Sequence, residues 1–366
     1  MNIGIVTFSQ SNDNYGEVLQ CYALYKYVQS KGHHCFLLRY EQTPYTNFAL
    51  KAFTLLSLIT NPQRLFSLLK KRRGKMVPHA TDNTDRKFFE FRSKKMECTA
   101  PLTKNEILEN PPEADAYICG SDQIWASPDP IMYLSFAPKD SIKCAFAPSF
   151  GGLTPNAYAR LLIKKYIKDF DFVSCREMSG VKLCRELGRE DTCLFPDPTL
   201  MHNASFYSQI AQEPPVSDKY ILLYMLGNKS EFDIQAVYDF AHKEGLKVIY
   251  ITGQNRVENY YRTTNATVEE WLGLIKGAEY VITNSFHGTV FSLINHKKFL
   301  TIPLVGAYER MNVRIHDLLN KFKLNNRLYR DSLSPIKESI DFEYFDEEQQ
   351  RLIAFVDQKL KILRQS

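Results

Sequence analysis

Apolar and polar positions along this chain follow a rhythm that repeats. Residues 2–8 (NIGIVTF) form a short apolar run, and the polar loop SQSNDNYGE follows. Next, VLQCYALYKYVQSKG carries apolar residues at helical spacing, and HCFLLRY reads as a second strand. Strand, loop, helix, turn and strand make a βαβ unit, which predicts a parallel sheet, with Gly32 closing the helix. The same logic resumes at 116–122 (AYICGSD), 144–150 (CAFAPSF) and 170–177 (FDFVSCRE), with helices over 155–168 and 179–188. Two prolines in CLFPDPTLM predict an extended boundary segment. A polar, proline-bearing stretch at 200–215 marks the main division of the chain. Beyond it the alternation starts again, with strands at 220–226, 247–252, 280–285 and 299–304 and helical patterns between them.

Two such halves predict an α/β protein of two Rossmann-like lobes, residues 1–205 and 206–345, with strand C-termini facing an interlobe cleft. The amphipathic stretch 346–364 is expected to form a final helix, and 346–366 to pack back on the first lobe. Segment 48–75 breaks the rhythm. Its apolar clusters end in the cationic run Lys70, Lys71, Arg72, Arg73 and Lys75, which reads either as a solvated helical excursion or as an interfacial element for anionic lipid.

Length and composition narrow the classes. A chain of 366 residues suits two cores better than one, and 44% apolar content excludes global disorder. The net charge of +5 is spread along the chain, which argues against a dedicated nucleic-acid binder. No apolar stretch approaches the ~20 residues of a membrane span. The start, MNIGIVTFSQ, lacks a secretory pattern, so the expected location is the cytoplasm, with peripheral contact at the inner membrane through 48–75. Eight cysteines without a CxxC pair predict buried free thiols rather than a zinc or redox motif.

The chemistry-bearing residues gather at strand ends. In YVITNSFHGTVFSL (280–293) an apolar strand stops at Asn284 and Ser285, and a helix begins around His287, Gly288 and Thr289. A helix N-terminus offers unpaired N–H groups and a positive dipole end to phosphate or carboxylate. Gly288 is expected to let a ligand approach the backbone, and a histidine there can give or take a proton near neutrality. Arg176 ends the strand FVSC, where an exposed guanidinium would face the cleft as a fork for carboxylate or phosphate. The plainer reading is a salt bridge to Glu177 or Asp197. The first βα loop supplies Asn12, Asn14, Tyr15 and Gly16 at a usual ligand position, without a GxGxxG fingerprint. Ser121 and Asp122 close another strand, and Asp122 would orient or deprotonate a sugar hydroxyl, or cap the next segment. The DxD triplet Asp169-Phe170-Asp171 opens a strand at the edge away from the cleft, so no metal site is expected there.

Taken in order, NDNYGEVLQCYAL, ADAYICGSDQIW, KCAFAPSFG, VSCREMSGVKLCRELG, FPDPTL and YVITNSFHGTVFS resemble the polysaccharide pyruvyl transferase family, over residues 1–330. The resemblance implies a glycosyltransferase-B-like fold of bacterial polysaccharide biosynthesis. It implies phosphoenolpyruvate as donor, a sugar of a lipid-linked surface-polysaccharide precursor as acceptor, a ketal product, and no metal or other cofactor. The family's essential arginine and histidine fall on Arg176 and His287, and a further basic residue falls on Arg310 or Arg314. Asn284, Ser285, Gly288 and Thr289 would complete the donor side. Asn12, Asn14, Tyr15, Gly16, Ser121 and Asp122 would serve the acceptor. His287 would protonate either the methylene carbon or the departing phosphate. Two rivals remain: a glycosyltransferase using a nucleotide sugar, and a non-catalytic scaffold for polysaccharide assembly.

Overall fold

The computed structural model describes residues 1–41, 86–214, 216–227, 231–253 and 263–364, so the basic segment 48–75 lies outside the described residues. The first sheet contains β1 (Asn2–Val6), β2 (His34–Leu37), β3 (Ala116–Cys119), β4 (Ile142–Ala145), β5 (Phe172–Cys175) and β6 (Cys193–Leu194). All are parallel, in the order β2-β1-β3-β4-β5-β6. Packed around it are α1 (Tyr15–Ser30), α2 (Phe88–Lys95), α3 (Ala157–Ile167) and α4 (Met178–Glu186). The second sheet contains β7 (Tyr220–Leu226), β8 (Lys247–Gly253), β9 (Tyr280–Thr283) and β10 (Lys298–Thr301), parallel in the order β10-β9-β7-β8. Its helices are α5 (Gln235–Glu244), α6 (Val268–Gly277), α7 (Phe286–Ile294) and α8 (Val313–Lys321), followed by α9 (Phe342–Lys359). The strands are buried almost throughout, as the unbroken apolar runs require of a sheet covered on both faces.

Both sheets put their first strand inside, the second on one flank and the third on the other. Strand order therefore reverses between β1 and β3 and again between β7 and β9. Each reversal leaves a crevice at the strand C-termini, and the two crevices face each other.

The lobes share one continuous apolar core, and α1 is its centre. Tyr15 stacks on Trp271 with centroids 5.1 Å apart, and its hydroxyl donates to the Ala266 carbonyl at 2.7 Å. Burial pushes its phenol up to about 12. Expected to contact the acceptor, Tyr15 is instead part of the interlobe seam, because the helix begins one residue before Gly16 and turns this ring inward. The division at 200–215 is also less polar in effect than its composition: it holds a short helix, Ala204–Ser208, whose Tyr207 is buried. The last helix starts at Phe342, four residues ahead of the expected 346, capped by Asp341 accepting the Tyr344 N–H at 2.9 Å. It returns to the first lobe, where Gln349 donates to the Leu200 carbonyl at 3.0 Å and Asp357 accepts from Tyr27 at 2.6 Å.

Candidate functional site

Asp197 gathers the site. It caps the 3-10 turn Pro198–Met201, with Oδ1 accepting from the Thr199 N–H at 3.1 Å and the Thr199 hydroxyl at 2.7 Å. Its Oδ2 accepts from Arg176 Nη1 at 2.7 Å and from the Ser121 hydroxyl at 3.0 Å, and lies 3.3 Å from His287 Nε2. Burial opposes the negative charge, yet the His287 and Arg176 charges and the Thr199 bond hold this carboxyl far below the usual range. The ends of β3, β5 and β9 are thus drawn to one carboxylate.

The expected exposed guanidinium is not what the fold makes. Arg176 is buried, because the strap Phe195–Met201 folds over the end of β5 and delivers Asp197 to it. A buried ion pair persists only when its remaining groups are also bonded, and here the fit is incomplete. Among the described residues, Nε and Nη2 of Arg176 have no hydrogen-bond acceptor, although Asp122 Oδ1 lies 3.7 Å from Nη2. The guanidinium sits 4.8 Å from the centroid of the Phe286 ring, and that of Arg314 approaches the same ring at 5.8 Å.

Of the two arginines that the sequence left open, Arg314 is brought to the site and Arg310 is not. Arg310 is exposed on the 3-10 turn Gly306–Asn312, its carbonyl against Gly152. Arg314 is buried, and burial followed by the Arg176 charge lowers it to about 10. It borders a cavity of about 50 Å³ shared with Asn14, Asp122, Ser285 and His287, and a second of about 380 Å³ shared with Arg176 and Asp197. The surroundings are less purely cationic than a string of basic residues suggests, since Asp197, Asp122 and Glu177 all face this cluster. Glu177 accepts from the Ser149 hydroxyl at 2.9 Å and the Phe150 N–H at 2.8 Å, and burial raises its carboxyl.

The remaining candidates divide. Gly16 is pressed against His287: a Cβ there would fall 2.1 Å from Nδ1, so only glycine leaves room beside that nitrogen. Asp122 has φ 71° and ψ −177°, a conformation nearly confined to glycine, which marks stored strain of the kind found at functional sites. It also caps the next turn by accepting the Gln123 N–H at 2.8 Å. Ser285 caps α7 by accepting the Gly288 N–H at 3.2 Å, and Phe286 and His287 of the first turn border the smaller cavity. The Asn284 carboxamide bonds the Leu226 N–H at 2.7 Å and carbonyl at 3.0 Å, tying β9 to β7 at the reversal.

Gly288, expected to admit a ligand, instead accommodates Thr283, whose Oγ1 would lie 2.5 Å from any Cβ. Thr289 is spent internally, donating to the Ser285 carbonyl at 3.1 Å and pairing with Thr301 at 2.8 Å. Asn12 is exposed and accepts from Arg92 at 3.2 Å, away from the cavity. Asp197 is the central residue that the pattern under-read, visible only as a carboxylate between two prolines and a salt-bridge partner for Arg176. All eight cysteines are free, six of them buried. Among the described residues no cluster of His, Cys, Asp or Glu is placed to hold a metal ion, and no helix is long and apolar enough to cross a membrane.

Two parallel-sheet lobes with a charged pocket at their facing crevices define a glycosyltransferase-B-like protein. The chain belongs to the polysaccharide pyruvyl transferase family, whose model matches residues 14–304. No curated protein matches the sequence. Among solved structures, a protein assigned as a UDP-N-acetylglucosamine 2-epimerase from Listeria monocytogenes is similar, with a TM-score of 0.51 at 9% identity over 96% of this chain and 90% of that one. The UDP-N-acetylglucosamine 2-epimerase of Rickettsia bellii gives 0.49 at 12% identity, over 100% and 98%. The glycosyltransferase SnogD of Streptomyces nogalater gives 0.44 at 11%, over 98% and 95%. At such identities the first likeness speaks for the fold alone.

Proposed function

We propose that this protein transfers the pyruvyl group of phosphoenolpyruvate to two hydroxyls of one sugar in a surface polysaccharide or its lipid-linked precursor. A ketal forms and phosphate leaves. One observation carries the reading: two buried guanidiniums, that of Arg176 with two donors unmatched among the described residues, stand beside an imidazole at a helix N-terminus. A small ligand with two anionic ends would supply the missing acceptors, and a fork-shaped donor suits both carboxylate and phosphate.

The chemistry follows from the arrangement. Asp197 holds Nε2 of His287 and the bare backbone of Gly16 packs against the Nδ1 side, so the ring is fixed in place at the edge of the smaller cavity. His287 gives a proton to the methylene carbon of the enol phosphate, leaving an oxocarbenium centre at C2. A sugar hydroxyl bonds to C2 as its O–H bond breaks, the bond from C2 to the phosphate oxygen breaks, and the second hydroxyl closes the ketal. Of the two hydroxyl protons, one leaves on phosphate and the other restores His287. The sequence balances without oxidant, reductant or further cofactor. Arg176 and Arg314 neutralise the enol phosphate and the departing anion in a partly dry site. Calorimetry tests the donor: phosphoenolpyruvate should bind and UDP-sugars should not. Binding of a UDP-sugar but not of phosphoenolpyruvate would replace this reading with nucleotide-sugar transfer.

A further inference from the structure

A second polar cavity, of about 380 Å³, lies on the first lobe, bordered by Phe8, Ser9, Gln10, Glu17, Tyr40 and Met132. It occupies the end of β1, at the reversal between β1 and β3, where open α/β sheets take ligands. Hydroxyl, carboxamide and carboxylate groups beside aromatic and thioether walls suit a sugar, whose C–H faces are apolar and whose edges are hydroxyls. None of these six residues belongs to the anion pocket.

Glu17 is the lining residue next in sequence to a contact of that pocket. It stands in the first turn of α1, immediately after Gly16, on whose bare backbone the His287 ring rests. The cavity lining and the contact with the imidazole therefore fall on consecutive residues of α1. Glu17 Oε1 accepts the Ser11 N–H at 2.8 Å, and among the described residues Oε2 receives no hydrogen bond. Burial and then Asp122 push its carboxyl up to about 7, with Asp13 acting in the same direction; the Ser11 N–H and Arg92 oppose them. A carboxylate so poised can accept a proton near neutrality and give it up again.

We propose that this cavity is the subsite of the acceptor sugar and that Glu17 is the base that takes the proton of the attacking hydroxyl, a role that rests on pyruvyl transfer as the reaction. As the sugar oxygen bonds to C2, its O–H bond breaks and the proton passes to Oε2. It then leaves on the phosphate, which restores the carboxylate. The second hydroxyl returns its proton to His287.

The test uses the full chain, phosphoenolpyruvate and a mixture of methyl gluco-, galacto- and mannopyranosides as acceptor probes. Glu17→Gln should lower phosphate release at least ~100-fold while phosphoenolpyruvate affinity, read by calorimetry, stays within about threefold. Glu17→Asp should regain part of the loss. Wild-type turnover should rise as pH rises through about 7, where Glu17 loses its proton, and this limb should vanish in Glu17→Gln. Gln10 is exposed, so Gln10→Trp can fill the cavity without entering the core. It should raise the glycoside KM at least about tenfold and leave phosphoenolpyruvate affinity unchanged. Near-wild-type turnover of Glu17→Gln, its loss of phosphoenolpyruvate affinity, or an unchanged glycoside KM in Gln10→Trp would each overturn the proposal. So would a wild type that binds phosphoenolpyruvate but none of the glycosides. A wild type that does not bind phosphoenolpyruvate defeats the reaction itself, which is a separate readout.

Discussion

Arg176 and Arg314 approach the same phenylalanine ring and meet opposite electrostatics. Arg176 has Asp197 at 2.7 Å and Asp122 at 3.7 Å. Burial works against its charge, but these carboxylates and Glu177 outweigh it and hold the guanidinium above its usual range. Arg314 has no carboxylate at ion-pair distance among the described residues, and burial with the Arg176 charge lowers it to about 10. One cation is paired directly by the protein; the other is helped only at longer range by Asp122, Glu177 and Asp197, with its Nε donating to the Met311 carbonyl at 3.4 Å. A buried charge without an ion pair is costly, and its place at a cavity suits the anion site proposed above.

The comparison can be broken at either end. Removing the compensated cation should hurt most: Arg176→Met leaves Asp197 buried and poorly matched, and should cost about 3–5 kcal/mol of stability by chemical denaturation. A loss under about 1 kcal/mol would mean that the pair contributes little to the fold. His287→Ala should lower turnover at least ~100-fold, measured as phosphate release, and cost about 1–3 kcal/mol of stability because Asp197 loses a buried partner. Gly16→Ala, which sets a methyl group against Nδ1, should lower turnover up to ~100-fold by displacing the ring, with phosphoenolpyruvate affinity retained. Equal losses of affinity and turnover would show that position 16 serves binding instead.

Arg314→Met should weaken phosphoenolpyruvate binding about ten- to hundredfold, the worth of one charged hydrogen bond, without destabilising the free protein. If it unfolds the protein, the contrast between the two arginines fails. The last effect concerns pH. Because Arg314 is lowered from 12.5 to about 10, the unfolded chain binds more protons than the folded one between these values. The stability owed to this group should therefore rise with pH across that window, while phosphoenolpyruvate affinity should fall. Titrations of wild type and Arg314→Met would separate the two trends, since the variant should show neither.

Much of the fold was legible before any coordinates. The alternation of apolar strands and 3.6-period helices marks each βα unit, and the polar turn around His287 stands out at a strand–helix junction. The choice between Arg310 and Arg314 was not legible, because a spacing of four would put both on one face of a continuous helix. The chain is not continuous there: the Asn312 carboxamide bonds the Leu304 N–H at 2.9 Å and carbonyl at 2.8 Å, separating a 3-10 turn from α8. Gly288 is a related case. Its small size reads as ligand access, whereas in the fold it also serves close packing of a helix start against its own strand.

Local order along this chain is written in periodicity, since backbone hydrogen bonding allows few repeats and side chains must match them. The lobes, the parallel sheets and the strand-end location of His287 and Arg176 follow from that alone. Which side chains meet is a matter of sheet order and of one strap crossing a strand end. Ser121, Arg176, Asp197 and His287 are far apart in sequence and converge within hydrogen-bonding reach. Nothing in their local surroundings encodes that convergence, because the distance between two residues in a folded chain is set by every element packed between them.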